Sequence, residues 1–141
     1  MNRRDFVYLG LFSVGGSVIA PRIVLAGIPA NPMAGGVYYT KDAPGRWGEK
    51  VGSHLPGIEL DKGAGGTTVR VVTGHEMKGY EHYIIKHVLL DGNFAFLDEH
   101  AFDPMQDKAP VSTFTLQDYS GPLYAISLCN RHDTWLNVIE V

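Results

Sequence analysis

The sequence has 141 residues, 45% of them hydrophobic, and a formal charge of −3. That is enough for one domain with a modest core, and no second domain is needed. A single cysteine excludes an internal disulfide framework and any cluster that needs several thiolates, and the acidic balance gives no support to nucleic-acid binding.

In chain order, residues 1–26 have the form of a twin-arginine signal peptide. Asn2-Arg3-Arg4-Asp5-Phe6 precedes an apolar run over 7–20, and Val24-Leu25-Ala26 supplies a small-residue cleavage site. The run is shorter than the roughly 18 to 20 apolar residues that span a bilayer, so no stable membrane anchor is expected after cleavage. Without residues 1–26 the chain carries nine basic and fourteen acidic side chains, or −5. The expectation is an acidic periplasmic protein, exported folded, a route that suits a chain loaded with a cofactor before it leaves the cytoplasm.

Residues 27–36 contain two prolines and no periodicity, and are expected to form a linker ahead of a domain over 37–141. Gly36–Thr40 predicts a short first strand. Residues 41–57 carry Pro44-Gly45, Gly48, Gly52 and Pro56, which predicts a loop without regular structure bearing Glu49, Lys50 and His54. The β-branched run Thr67–Val72 predicts a strand after a glycine turn at 63–66, broken by Gly74-His75. Glu81–Leu90 predicts a long strand. Asp91-Gly92-Asn93 is a hairpin signal, because Asp-Gly suits the positive φ of a tight turn, and Phe94–Leu97 returns as its partner. A polar loop over 98–110 follows, then strands at Val111–Leu116, Leu123–Leu128 and Trp135–Val141. About seven short strands with no amphipathic helix favour an antiparallel β-sandwich of Greek-key or immunoglobulin-like type.

Chemistry concentrates in the histidines and the one thiol. Cys129 and His132 sit three residues apart at a strand end, His75 and His82 flank a turn, and His54 precedes a proline. Such a set can be a mixed nitrogen–sulfur metal site, or residues that merely pack; a nucleophile with its base is disfavoured, since no nucleophile elbow or third orienting residue is apparent. His87 inside a strand and His100 on a polar loop are expected to be structural or solvated.

His54-Leu55-Pro56-Gly57-Ile58-Glu59, His75-Glu76-Met77 with His82-Tyr83-Ile84, and Cys129-Asn130-Arg131-His132 with Trp135 resemble the ordered motifs of the superoxide reductase (desulfoferrodoxin/neelaredoxin) family over roughly 44–137. The resemblance implies an immunoglobulin-like β-sandwich and a mononuclear iron, with His54, His75, His82 and His132 as equatorial ligands and Cys129 as axial thiolate. It implies a superoxide reductase that reduces superoxide to hydrogen peroxide and is re-reduced by an external electron donor, and a family often found as homo-oligomers. Imidazoles suit ferrous iron, and five donors leave a sixth position open opposite the sulfur. With no further cysteine the chain resembles the one-iron-centre type.

Three positions depart from the family pattern. The Glu-Lys pair, which the resemblance casts as the catalytic, substrate-steering element, is here Glu49-Lys50 and is separated from His54 by Val51-Gly52-Ser53; Lys50 reaches the open position only if its loop folds back. Gly79-Tyr80 makes the His75–His82 segment one residue longer, which a glycine turn would absorb. Asp133 stands where the family commonly has glycine, and is expected to be a solvated turn carboxylate, with a hydrogen bond to a ligand imidazole as the alternative. The competing functions are an iron protein that transfers electrons or senses oxidants without efficient superoxide turnover, a blue-copper carrier using Cys, two His and a weak methionine, and a metal-free interaction module.

Overall fold

The computed structural model describes residues 31–141; the twin-arginine pattern and the first residues of the linker lie outside the described residues. Seven strands form two antiparallel sheets. One has the order β1 (Gly57–Gly63), β2 (Gly66–Val72), β5 (Val111–Leu116). The other has the order β4 (Phe96–Ala101), β3 (Ile84–Leu90), β6 (Pro122–Cys129), β7 (Asp133–Glu140). The expected β-sandwich is present.

Alternation decides which side chains face inward. In β2, Val69 and Val71 are buried while Arg70 points out to pair with Glu59 across the β1 ladder at 2.8 Å. In β5, Ser112 and Phe114 point in and Thr113 and Thr115 point out. Val69, Val71 and Phe114 of one sheet meet Leu89, Leu123 and Ala125 of the other, forming the main core. A smaller cluster, Ile84, Phe102 and Cys129 with Met77 against it, lies under one end of the sandwich.

The strand count matches the sequence expectation, but one member is exchanged. Gly36–Thr40 makes no strand: Tyr39 donates its N–H to Thr134 O, accepts from Leu136 N, and the contact ends there. Glycines before it and a turn closed on Thr40 Oγ1 leave no length for a ladder. The seventh strand is instead β1, an exposed edge strand in which only Ile58 and Leu60 carry apolar bulk into the core. Residues 98–110 are not all loop, since β4 continues to Ala101 against β3. β3 begins at Ile84, because Gly79–Glu81 forms a 3-10 turn. The Asp91 hairpin forms as expected, with Asp91 Oδ1 accepting from Asn93 N and Ala95 N.

The largest correction concerns residues 41–57. Gly45–Lys50 is a 3-10 helix, kinked at Trp47, and Val51–His54 is a single α-helical turn, α1. Helical propensity does not explain it, since ten residues with three glycines cannot sustain a helix alone. Tertiary contact does: Gly45 has φ +51, and a Cβ there would stand 2.2 Å from Gly35 O. Residues 31–35 themselves form hydrogen-bonded turns, with Gly35 N donating to Tyr38 O.

Candidate metal centre

Antiparallel pairing brings the relevant element ends to one end of the sandwich. β1 starts opposite the end of β2, at Gly57 and Val72, and the end of β6 at Cys129 lies between Ile84 of β3 and Asp133 of β7. His54 closes α1, His75 follows β2, His82 precedes β3, Cys129 ends β6, and His132 lies in the β6–β7 turn. One ligand-type atom from each of these five residues falls within 4.8 Å of all the others.

The four imidazoles are ordered around a ring. His54 Nε2 is 3.1 Å from His132 Nδ1, His132 Nδ1 is 3.1 Å from His82 Nε2, and His82 Nε2 is 3.0 Å from His75 Nε2. The His75 and His54 rings close the circuit edge to face, with centroids 4.7 Å apart. A square with such edges has corners about 2.2 Å from its centre, close to the metal–imidazole bond of about 2.0–2.1 Å; a tetrahedron with that bond would need edges of about 3.4 Å. Cys129 Sγ is 3.9 Å from His75 Nε2 and 3.6 Å from His132 Nδ1, which occupy opposite corners. A sulfur nearly equidistant from opposite corners, and this far from both, stands off the plane of the square. Five donors in this pattern exceed the four of a structural zinc site and suit a transition metal that accepts both imidazole and thiolate.

Tautomers are set from behind the ring. His54 Nδ1 donates to Lys50 O at 3.2 Å and also meets Ser53 Oγ at 2.8 Å, and His75 Nδ1 donates to Glu76 O. Both assignments leave Nε2 as a lone pair aimed at the centre. All four rings are biased to neutrality. Burial lowers the pKa of His54 to about 4, with the His75 and His132 charges adding to it. Burial is also the first cause of the lowered values at His75, His82 and His132. Neutral imidazoles are the metal-binding form.

Depth separates the donors. His54, His75 and Cys129 are buried, whereas His82 and His132 are half-exposed. Cys129 backs onto Ile84, Phe102 and Met77, so the sulfur lies on the core side of the ring and the other side faces outward. Lys50 stands one helical turn before His54, a spacing that puts i and i+4 on one face. Its positive charge is a cause of the lowered pKa at both His132 and His75. Glu49 is exposed, and nothing brings it into the ring.

Sequence reasoning missed several groups that hold this geometry. Asn130 ties the β6–β7 turn to the His82 segment: its Oδ1 accepts from Tyr83 N at 3.0 Å, and its Nδ2 donates to Glu81 O at 3.0 Å and Tyr80 O at 3.3 Å. The fully buried Trp135 donates Nε1–H to His132 O at 2.9 Å. Asp133, at φ +66, bonds no imidazole and is not simply solvated. Its Oδ2 accepts from Trp47 Nε1 at 2.8 Å and Arg46 Nη2 at 2.7 Å, and these two bonds hold its carboxyl below the usual carboxylate range. Gly79 between His75 and His82 adopts φ +55, the left-handed turn conformation a glycine permits. His87 is fully buried, with Nε2 bonded to Thr73 Oγ1 at 2.8 Å and Nδ1 to Ser112 Oγ at 2.7 Å; it takes no part in the ring. His100 is exposed and packs edge-on against Phe102.

A family model described as Desulfoferrodoxin matches residues 46–138. Among solved structures, the chain is similar to a superoxide reductase (neelaredoxin) from Ignicoccus hospitalis, at 34% identity and TM-score 0.61, over 76% of this chain and 95% of that one. It is similar to a one-iron superoxide reductase from Giardia intestinalis at 27% identity and TM-score 0.53, over 63% of this chain and 98% of that one. A superoxide reductase in the oxidized state matches at 28% identity and TM-score 0.53, over 62% of this chain and 87% of that one. No curated protein matches the chain.

Proposed function

Because the chain belongs to the desulfoferrodoxin family, we propose that it is a one-iron superoxide reductase whose metal is held by His54, His75, His82 and His132 with Cys129 on the core side. The observation that carries this reading is the near-square of imidazole nitrogens with a thiol sulfur off its plane. Iron bound there supplies the single electron that, with two protons, converts superoxide to hydrogen peroxide; an external donor restores that electron.

The remaining work falls to this chain's own groups. Burial of Cys129 keeps water from the thiol side, so an anion approaches from the outward side. The backbone carbonyls of Lys50 and Glu76 fix the rings of His54 and His75. Lys50, half-buried on the His54 face of its helical turn, supplies positive charge where the chain as a whole is acidic and repels an anion. Glu49 stands beside it in the sequence but outside the ring, and its assignment rests on the resemblance alone.

On the Arg3-Arg4 pattern we place the mature chain in the periplasm. Superoxide is its small-molecule partner, alongside an electron donor of unspecified identity, and a homo-oligomer is the expected assembly.

Metal analysis with an optical spectrum, followed by product stoichiometry, tests the proposal. The expected result is one iron per chain, a thiolate-to-iron charge-transfer band in the oxidised protein, and one hydrogen peroxide per superoxide consumed in the presence of reductant. An iron-loaded protein that cycles with its donor but leaves superoxide untouched would establish the electron-transfer alternative instead. A copper–thiolate spectrum, or absence of bound metal, overturns the iron reading.

A further inference from the structure

Asp133 follows a ring histidine directly and adopts φ +66, a backbone region that favours glycine and that aspartate tolerates at a cost. Its carboxylate faces across the site rather than into it. The two groups it accepts from, Trp47 Nε1 and Arg46 Nη2, lie on the 3-10 helix that leads into Lys50 and His54. The guanidinium of Arg46 in turn lies 4.5 Å from the Trp47 ring centroid, and the Trp47 ring meets the His132 ring edge-on with centroids 4.7 Å apart. The 3-10 helix has no side-chain cap of its own. Elsewhere the Gly45–His54 segment meets the domain through Gly45 against Gly35 and Tyr39, Gly52 O against Gly74, and the His54 ring against His132 and Trp135; the Asp133 contacts are the side-chain hydrogen bonds that tie its 3-10 part to the β6–β7 turn.

We propose that Asp133 is a positioning residue: it latches the Gly45–His54 segment to the β6–β7 turn through Trp47 and Arg46, and thereby fixes where Lys50 and His54 stand relative to His132. The strained φ is retained because a carboxylate at this position reaches both donors, which glycine cannot do. The latch deepens the metal-centre reading only in its consequence, since it rests on that reading for what Lys50 and His54 serve; the latch itself is a contact between two segments and is present whichever metal binds.

Solvent exchange of the two indole N–H protons, followed by NMR in the full-length protein without metal and with zinc as a diamagnetic probe, tests it. In Asp133→Gly the backbone conformation is retained and the acceptor lost. The Trp47 indole and the amides of 47–54 are expected to exchange at least about tenfold faster, while the Trp135 indole, bonded to His132 O, keeps its protection. Asp133→Asn, which tolerates the same φ and keeps one oxygen acceptor, is expected to fall between. Trp47→Phe removes the donor without touching residue 133 and is expected to release the same 47–54 amides, which keeps the test open if Asp133→Gly does not fold. Unchanged protection of the Trp47 indole in Asp133→Gly, or of the 47–54 amides in Trp47→Phe, overturns the latch. Failure of the protein to bind iron would overturn the superoxide reductase reading and leave these exchange rates unaffected.

Discussion

His54 Nε2 lies 3.1 Å from His132 Nδ1 although 78 residues separate them in the chain. With His54 donating from Nδ1, its Nε2 is a lone pair, and a single proton on His132 Nδ1 serves either it or the equally near His82 Nε2 but not both. A cation at the centre of the ring would satisfy these lone pairs together. Replacing either histidine by alanine is therefore expected to lower iron affinity by more than the 10–100-fold typical of changes behind a ligand, roughly 100-fold or beyond. Competition titration against a chelator measures it, and an affinity within threefold of wild type would remove that histidine from the site.

On the proposed function, Lys50 would supply a local attraction for the superoxide anion that the acidic chain as a whole does not. Lys50→Ala is expected to slow superoxide consumption by about tenfold at low ionic strength, with the difference shrinking as salt screens the charge. Second-order rates at two ionic strengths measure this. A rate unchanged at low salt would show that Lys50 does not steer the substrate.

Asn130 makes three side-chain hydrogen bonds to the segment around His82. Asn130→Ala leaves Tyr83 N–H and two carbonyls to water, at a cost of about 1–2 kcal/mol for this partly exposed clip. It is also expected to weaken iron binding by about tenfold through the loosened His82 and His132. Thermal melting with and without metal separates the effects: equal shifts in both states would mean that Asn130 supports the fold alone.

Acid should destabilise the metal-free protein from a known direction. Burial depresses the pKa of His87 to about 4, and that of His54 likewise. Between pH 6.5 and 4 the unfolded chain binds protons that these rings do not, so their stabilisation is full above about pH 6.5 and is lost as pH falls toward 4. Each ring contributes a slope of up to roughly 1.4 kcal/mol per pH unit inside that window. Urea denaturation at pH 7 and pH 5 tests the sign; a metal-free protein equally stable at both would show that these histidines are not held neutral.

The strands were legible where period two was clean, as in Val111–Leu116, and where a turn had its own chemistry, as at Asp91-Gly92-Asn93. β1 was not, because an edge strand with Asp61, Lys62 and Gly63 exposed carries too few inward residues to show a period. The helical turns over 45–54 were illegible for a different reason: Gly45 packs on Gly35 and Trp47 bonds Asp133, and local sequence encodes neither contact. The four ring histidines and Cys129 stood out by type and placement at element ends, and the structure brings all five together. What Asp133 does could not be seen beforehand, since its φ and its reach across to Trp47 exist only once β7 has paired with β6.

Cys129 is the last residue of β6 and sits opposite both Ile84 and Asp133. Side chains alternate along a strand, so a one-residue slip of β6 would turn the thiol outward and bring Leu128 into its place. A slipped chain still forms a ladder, but it cannot present sulfur to the four imidazoles. A metal held by the five residues would therefore favour the aligned register over the slipped one, by an amount that grows with its concentration relative to its dissociation constant.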